Sequence, residues 1–397
     1  MDSRFRGNDM RNCGNDMRNC GNDMRNCGND MRNCGNDREG VDMFAIDFGA
    51  RSIKVLKLHK ISDGYELDNY GVTLSTEGAI ANGEILNPIA VADNLTELLR
   101  ESGIKDRKAM VAITGQKVII REIVLPLMEK EELMAGVMWE APKYVPYDLN
   151  ESIIDAQKVD EFVEKDGNKM MRVFLVAAPK NIIQPYMEVL KKAKIVPKIV
   201  DIVSSANIRA FKNHLSDKKE EEQESLIIDI ILSIGASNTN LTLVEKGNLK
   251  FTRDILVGGS DITKAIAKSL TISFGEAEKF KRETEIALGP EADKEKNNES
   301  GKIIVEILNQ ITKEVRKSLS YYKTQSQKVK YNKIILSGGS ANIKNIEKFL
   351  SEQFEIPIII GDPLEGIKIN ERIFDIESIK KLKDTLATVI GLAMRER

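Results

Sequence analysis

The chain has 397 residues, of which 42% are hydrophobic and 30% are charged, and its formal net charge is −2. This length is ample for two globular domains, and the near-neutral charge argues against nucleic acid as the main partner, because no dominant positive field would attract phosphates. No run approaches the roughly 20 apolar residues that span a bilayer, and the first residues lack the apolar core of a signal peptide. A cytoplasmic location is therefore expected.

The chain begins with a heptapeptide repeat. Three identical copies of RNCGNDM at 11–31 and a fourth copy at 32–38, which ends in Arg38, contain every cysteine of the protein: Cys13, Cys20, Cys27 and Cys34. Metal sites favour closely spaced cysteine pairs with histidines, and coiled coils need two apolar positions per heptad, so neither fits this spacing. Residues 1–42 are therefore predicted to be disordered. Identical copies are typical of translated repetitive DNA, and the functional protein is expected to begin at or near Met43.

The next segment predicts the start of an α/β domain. FAIDFGARSIKVLKL at 44–58 reads as two strands around a glycine turn, a β-hairpin. The acidic residue before the Gly-Ala-Arg-Ser tip indicates a turn that holds a ligand, and an ordinary N-terminal hairpin is the alternative. A third strand at 65–74, a helix at 87–102 and a strand at 109–115 follow. Strand, helix and strand in this order favour an α/β layer.

Residues 116–198 have a different pattern. A strand and a helix with an acidic first turn come first, then a hairpin around Asp166-Gly167-Asn168 and a second helix at 181–195. We interpret this unit as an insertion between 43–115 and 199–225, which together would form the first lobe. The charged stretch at 216–225 predicts a boundary.

The remaining residues, 226–397, are expected to form the second lobe. They repeat the opening order of strand, Gly-Ala-Ser turn and two further strands at 226–255. A glycine turn then enters a helix that Ser260 or Asp261 could cap. After a surface loop at 289–301 and a long amphipathic helix, the strand and double glycine of KIILSGGSANIKNIEKFL enter another helix.

Three glycine turns stand at comparable places in the two halves. IDFGARSIK at 46–54 and SIGASNTNL at 233–241 are hairpin tips, and ILSGGSANI at 335–343 is a strand-to-helix turn. Glycine lets backbone N–H groups approach a phosphate, and Ser and Thr hydroxyls add donors. Paired hairpins can clamp a triphosphate, and a glycine pair can pack under an adenosine. The sequence has no G-x-x-x-x-G-K-[ST] loop and no G-x-G-x-x-G after a strand, and no H-R-D loop precedes the D-F-G at 47–49.

Longer stretches carry a family resemblance that covers nearly everything from residue 43 onward. They are IDFGARSIKVLKL, LPLMEKEELMAGVMWEAPKYVPYDL, VFLVAAPKNIIQPYMEVLKKAKIVPKIVDI, IGASNTNLTLVEKGNLKFTRDILVGGSDITKAIA, AEKFK, LSGGSANIKNIEKFL and DTLATVIGLAMR. The sequence resembles the PilM family of type IV pilus assembly proteins, which are cytoplasmic, actin-like and related to FtsA. This resemblance implies an actin-like (duplicated ribonuclease-H-like) two-lobed α/β fold with a small inserted α+β subdomain.

The resemblance also implies ATP and Mg²⁺ as cofactors. Carried over residue by residue, it implies phosphate contacts from Gly49, Arg51, Ser52 and Lys54, and from Gly235, Ser237, Asn238 and Thr239. It implies adenosine contacts from Gly338, Gly339 and Ser340, ribose and base contacts from Glu278 and Lys281, and Asp47 near the metal. For Glu278 and Lys281, a solvated helix face is the alternative on spacing alone.

One position departs from the family pattern. The family usually has an acidic residue two before the second-hairpin glycine, but Ser233 stands there and Asp229 lies four residues earlier. A strand cannot bring Asp229 to that place without a shift of register. The sequence therefore predicts ATP binding with very slow or absent turnover, so that the protein is at most a weak ATPase.

The resemblance implies an interaction protein rather than a metabolic enzyme. Its expected role is a scaffold beside the inner membrane that links the pilus motor to the assembly complex and binds the N-terminal cytoplasmic peptide of PilN. The inserted unit at 116–198 is the candidate partner site. The alternatives are an acetate- or sugar-kinase-like phosphotransferase, for which no acceptor base is identified, and a filament protein of the FtsA or MreB type.

Other conspicuous side chains have structural explanations. Trp139 and Tyr144 are expected to form one packed helix face with Met134 and Met138, and the two histidines, His59 and His214, are not expected to bind metal.

Overall fold

The computed structural model describes residues 43–216, 226–287, 299–326 and 328–395. The heptapeptide repeat, for which disorder is expected, lies outside these residues, as do most of the charged linker and most of the loop at 289–301. Among the described residues, no helix is both long enough and apolar enough to cross a membrane.

Apolar residues at strand and helix periods build the regular elements. In chain order, the strands are β1 (Phe44–Phe48), β2 (Ser52–Ile61), β3 (Gly64–Leu74), β4 (Ile80–Ala81), β5 (Glu84–Ile85), β6 (Lys108–Ile113), β7 (Ile119–Pro126), β8 (Ser152–Val163), β9 (Lys169–Pro179), β10 (Val196–Ile202), β11 (Leu226–Ile234), β12 (Thr239–Glu245), β13 (Asn248–Ile255), β14 (Val329–Ser337), β15 (Ile358–Ile360) and β16 (Ile367–Lys368). The helices are α1 (Pro88–Ser102), α2 (Lys130–Glu140), α3 (Lys180–Lys192), α4 (Val203–Ala210), α5 (Gly259–Leu270), α6 (Phe274–Glu283), α7 (Glu299–Gln325), α8 (Ile346–Phe354), α9 (Ile376–Leu382) and α10 (Ala387–Ala393).

The two main sheets share one strand order. In the first sheet, β3, β2 and β1 are antiparallel neighbours, and β1, β6 and β10 run parallel, with β16 added beside β3. In the second sheet, β13, β12 and β11 are antiparallel and β11, β14 and β15 run parallel. This is the ribonuclease-H-like topology, present twice. The predicted two-lobed actin-like fold is confirmed.

Each sheet has its own apolar core, and a third cluster lies between the sheets. In the first core, Phe44 and Ile46 of β1 pack with Leu95 of α1, and in the second core β11 packs with α5 and α7. The third cluster joins residues of both sheets to α4 and α10, which lie between them. The two helices therefore connect the lobes at the base of the space between the sheets.

A smaller sheet, in the order β7-β9-β8, forms a separate module with α2. Its core contains Leu133 and Val137 of α2 packed with Val173 and Leu175 of β9. The strand β7 lies against β13 of the second sheet. These elements cover Ile119 to Pro179, so the observed module is shorter than the predicted insertion.

Two segments pack differently from the predicted lobe assignment. The helix α3 was expected in the inserted unit, but its Ile183, Val189 and Leu190 lie in the first core. At the C-terminal end, β16 pairs with β3 and α10 packs against β1 and β2, although both were expected in the second lobe. The periodicity of a helix identifies its apolar face but not the sheet that covers it.

Candidate functional site

The two sheets direct the carboxyl ends of their parallel strands into one cleft. Every side chain or glycine of the sequence-based site except Thr239 lines it: Asp47, Gly49, Arg51, Ser52, Lys54, Gly235, Ser237, Asn238, Glu278, Lys281, Gly338, Gly339 and Ser340. The Thr239 side chain is fully buried, and its hydroxyl donates to the Val257 carbonyl oxygen at 2.8 Å. Thr239 thus stabilises the strand end rather than facing the cleft.

The first hairpin tip is closed by its own backbone. The Gly49 N–H donates to the Ser52 carbonyl at 3.1 Å, and a Cβ at position 49 would lie only 2.8 Å from that oxygen. Ser75, the residue after β3, braces the tip, since its hydroxyl donates to the Gly49 carbonyl at 2.7 Å and its N–H to the Arg51 carbonyl at 3.0 Å. The glycine is required by this close approach.

A buried ion pair lies beneath this tip. The Lys54 ammonium donates to Asp47 Oδ2 at 2.8 Å and to the Ser52 carbonyl at 3.2 Å, and the lysine is only 5% exposed. Among the described residues these are its hydrogen bonds, so one of the three N–H donors remains for the cleft. The pair places one cation and one carboxylate where the two hairpins meet.

The second hairpin repeats this arrangement. The Gly235 N–H donates to the Asn238 carbonyl at 2.9 Å. The first turn of α5 braces the tip, because the Gly259 N–H donates to the Gly235 carbonyl at 2.8 Å and Asp261 accepts from the Gly258 N–H at 2.8 Å. The helix begins earlier than predicted, because its N-cap is Gly258 rather than Ser260 or Asp261, and Asp261 lies within the first turn, from which it bonds back to the cap.

Position 233, where the family usually has an acidic residue, also lies in the cleft. Ser233 faces Asn240 across β11 and β12, and Ser337 is its neighbour on β14. Asp229 accepts hydrogen bonds from the Ser216 N–H at 2.6 Å and from the Asn332 amide at 2.8 Å. Four residues of strand separate it from position 233, about 13 Å, so Asp229 does not replace the acid.

The third turn depends on a left-handed glycine. Gly338 has φ 87°, and a Cβ there would lie 2.4 Å from the Ile234 carbonyl oxygen, so only glycine fits. Its N–H donates to the Asp384 carbonyl at 2.9 Å. Gly339, by contrast, has room for a side chain, because a Cβ there would make only an ordinary 3.5 Å contact with Thr385. Gly339 is therefore open toward the cleft.

Glu278 and Lys281 form a buried pair on α6. The Lys281 ammonium donates to Glu278 at 2.7 Å, to the Thr263 hydroxyl at 3.0 Å and to the Gly259 carbonyl at 3.2 Å, so all three donors are used. This excludes the solvated-face alternative. Burial lowers the pKa of Lys281, and Glu278 offsets part of that shift. Burial opposes ionisation of Glu278, yet Lys281, Thr263 and Arg282 hold its pKa below the ordinary value.

Two buried polar atoms in the cleft lining have no hydrogen-bond partner among the described residues: Ser337 Oγ and Asp384 Oδ1. Burial raises the pKa of Asp384. Buried polar atoms are normally paired, so these two indicate space for a ligand or ordered water. The sequence analysis missed Asp384, because nothing local indicates that it lies beside a turn 46 residues earlier, at Gly338.

The polar groups that line the cleft fit a nucleotide whose phosphates carry a metal ion. Backbone turns, one free lysine N–H and unpaired polar atoms match phosphate and sugar chemistry. Among the described residues, no cluster of three His, Cys, Asp or Glu side chains could hold a metal alone. Mg²⁺ commonly needs only one or two carboxylates beside phosphates and waters, and Asp47 can supply one.

One expectation about the module is wrong. Trp139 is 82% exposed, and Met134, Met138 and Tyr144 are exposed as well, so these residues do not form a packed face. The buried face of α2 consists of Leu133 and Val137 instead. Apolar residues on both sides of a helix do not reveal which side is covered. The four exposed residues are called the Trp139 patch below.

Each histidine has a polar neighbour, although His214 Nδ1 is buried with no hydrogen-bond partner among the described residues. His59 Nδ1 lies 2.6 Å from Asp68 Oδ1, and His214 Nε2 accepts a hydrogen bond from the Asp362 N–H at 3.2 Å.

Two ribonuclease-H-like sheets with paired hairpin tips across a cleft define an actin-like protein. A comparison with known protein families identifies the family within this class. The family model described as type IV pilus assembly protein PilM matches residues 45–397. The chain belongs to this family.

Solved structures agree on the fold. The chain is 24% identical to a protein in the PilM-PilN type IV pilus biogenesis complex, with a TM-score of 0.76, and the match covers 89% of this chain and 98% of that one. Against ethanolamine utilization protein EutJ from Carboxydothermus hydrogenoformans, the identity is 15%, the TM-score 0.51 and the coverage 88% of both chains. At these identities, the likeness establishes the fold alone.

The matches to curated relatives cover a smaller part of this chain. Cell division protein FtsA of Bacillus subtilis (strain 168) is 26% identical over 272 residues, which are 63% of this chain and 60% of the relative. FtsA of Buchnera aphidicola subsp. Baizongia pistaciae (strain Bp) is 27% identical over 187 residues, 41% of this chain and 42% of the relative. The chain thus spans about half the length of these two relatives.

Proposed function

We propose that this chain is a cytoplasmic, actin-like ATP-binding scaffold of the type IV pilus inner-membrane assembly complex. The observation that carries the nucleotide part is the meeting of three glycine turns in one cleft, which also contains buried polar atoms that have no partner in the part of the chain that the structure describes. The family supports the pilus part.

In this proposal the hairpin tips hold the phosphates from both lobes. The tight turns at Gly49 and Gly235 leave room for phosphates beside the backbone of the tips, and Lys54 offers its remaining N–H. The flat backbone at Gly339 receives the adenosine, and Ser337 and Asp384 supply polar atoms deeper in the cleft. Asp47 would hold Mg²⁺, which would neutralise charge on the phosphate oxygens.

The same residues explain weak or absent hydrolysis. Ser233 and Asn240 face each other in the cleft without a carboxylate at position 233. A metal held by fewer carboxylates is placed less firmly, and placement matters more for the transition state than for binding. We therefore infer that nucleotide occupancy, rather than turnover, serves the scaffold.

The proposed partner is the N-terminal cytoplasmic peptide of a PilN-like protein. A solved relative of this fold occurs in a PilM-PilN complex. The module of β7, β8, β9 and α2 carries the Trp139 patch, an exposed apolar surface of the kind that binds peptides. Through this partner the chain would lie beside the inner membrane, between the assembly complex and the motor.

The test of ATP binding uses Gly339→Ala with Gly275→Ala as its matched control. The first methyl group fits the protein but occupies space that an adenosine needs, and the second meets nothing within 4 Å. In calorimetric titrations we expect the unaltered protein and the control to bind ATP, and Gly339→Ala to bind about tenfold more weakly or worse. Absence of ATP binding by the unaltered protein would refute the nucleotide assignment.

A further inference from the structure

Asp254, near the end of β13, bonds to both lobes with one carboxylate. Its Oδ2 accepts from the Thr114 hydroxyl at 2.8 Å and from the Gly115 N–H at 2.6 Å, both directly after β6 of the first sheet. Its Oδ1 accepts from the amides of Asn240 at 2.9 Å and Asn238 at 3.3 Å, on the second hairpin. The carboxylate therefore joins the first lobe to the hairpin tip.

Further contacts also join the first-lobe loops to the second hairpin and its neighbouring strand. The Gln116 amide donates to the Asp254 carbonyl at 3.2 Å, and the Asn82 N–H donates to the Ser237 hydroxyl at 3.0 Å. Gly115 has φ 115°, and a Cβ there would lie 2.7 Å from the Asn82 carbonyl oxygen, so two first-lobe loops pack tightly here. The second hairpin is thus docked on the first lobe rather than free.

The chemistry requires a carboxylate at this position. An ionised Asp only accepts hydrogen bonds and offers about four lone-pair directions, which match the four donors around it. By accepting from both asparagine amides, Asp254 also fixes their orientation. Asn240 uses its amide oxygen to accept from the Thr242 hydroxyl at 2.8 Å. An amide at position 254 would bring an NH₂ group against donors.

We propose that Asp254 is a positioning residue for phosphate binding, an inference that rests on the proposed nucleotide function. It holds the segment from Ser237 to Asn240 in the conformation that receives phosphate and keeps that segment against the first lobe. Asp254 does not line the cleft, so its effect is transmitted through the asparagines.

The experiment compares ATP with adenosine, which lacks the phosphates. Calorimetric titrations use the full chain, Asp254→Asn, Thr114→Val and the control Asp155→Asn, whose carboxylate is exposed on the module. We expect Asp254→Asn to weaken ATP binding about tenfold, comparable to one hydrogen bond to a charged group, with adenosine affinity unchanged. Thr114→Val removes a single donor with little change of shape, and it should reduce ATP affinity less, again without affecting adenosine.

Each other outcome overturns the inference. Equal ATP affinity in Asp254→Asn and the control would show that the carboxylate does not position the hairpin. Parallel losses for ATP and adenosine in both Asp254→Asn and Thr114→Val, with a lower melting temperature, would assign these residues to folding only. Failure of the unaltered protein to bind ATP would refute the proposed function as well, so the two failures are distinguishable.

Discussion

Gly391 of α10 lies against Ala206 of α4 so closely that a Cβ at position 391 would come within 1.8 Å of the Ala206 carbonyl oxygen. Arg209 strengthens this crossing, since its Nε donates to the Gly391 carbonyl at 2.7 Å, and its guanidinium pairs with the buried Asp201. The two helices lie between the sheets, so their spacing affects both lobes.

Gly391→Ala is expected to destabilise the protein. Because the contact is with backbone, no side-chain rotation relieves it, and overpacking of this kind costs about 1–3 kcal/mol. Chemical denaturation measures the free energy of unfolding. The control is Gly275→Ala on α6, where a Cβ meets nothing and the change should be neutral or slightly stabilising. Equal stability of both variants would show that α10 can move away from α4.

Glu278→Gln is expected to lower the free energy of unfolding at neutral pH. It leaves the Lys281 ammonium buried without its anion, a loss of about 2 kcal/mol. The folded-state pKa of Glu278 lies below its ordinary value near 4.5, so its stabilisation is present above that value and is lost as the pH falls through the folded pKa.

Unfolding measured at pH 7 and at pH 3 tests this prediction. The difference between the unaltered protein and Glu278→Gln should shrink at the lower pH, because below about 4.5 the carboxyl of the unfolded chain binds a proton that the folded protein resists binding. Removal of one partner is the informative change, because it leaves the other charge buried without its counterion. A difference that is independent of pH would contradict the ionised pair.

Ser233→Asp is expected to increase ATP turnover. Position 233 faces the cleft beside Ser337 and Asn240, and a carboxylate there adds a ligand for a phosphate-bound metal or its waters. One such transition-state contact corresponds to about 3 kcal/mol, roughly a hundredfold in rate. A phosphate-release assay at saturating ATP measures the gain, with Asp229→Asn as a variant that should not change turnover. Rapid hydrolysis by the unaltered protein would contradict the role of this position.

Trp139→Ala is expected to weaken binding of a PilN-like peptide without loss of stability. The indole is 82% exposed, so its removal leaves the buried face of α2 intact, and exposed aromatic residues often dominate interfaces. The loss in affinity should be at least about tenfold. Val163→Ala, also exposed but at the far end of β8, is the control. Unchanged peptide affinity in Trp139→Ala would place the partner elsewhere.

Local sequence determined much of the site. The hairpin tip at Gly49, the tip at Gly235 and the turn at Gly338 were recognisable because turn chemistry depends on neighbouring residues. The duplicated order of strands indicated two lobes, and longer motifs identified the family. These features need no knowledge of distant contacts.

Tertiary structure alone decided the rest. The carboxylate of Asp254 meets Gly115 across 139 residues, and Asp384 approaches Gly338 only because α10 returns to the space between the sheets. The lobe to which α3 belongs and the exposure of Trp139 were also open until the fold was known. Periodicity reports which side of an element is apolar, whereas the neighbour that covers it depends on how distant segments pack.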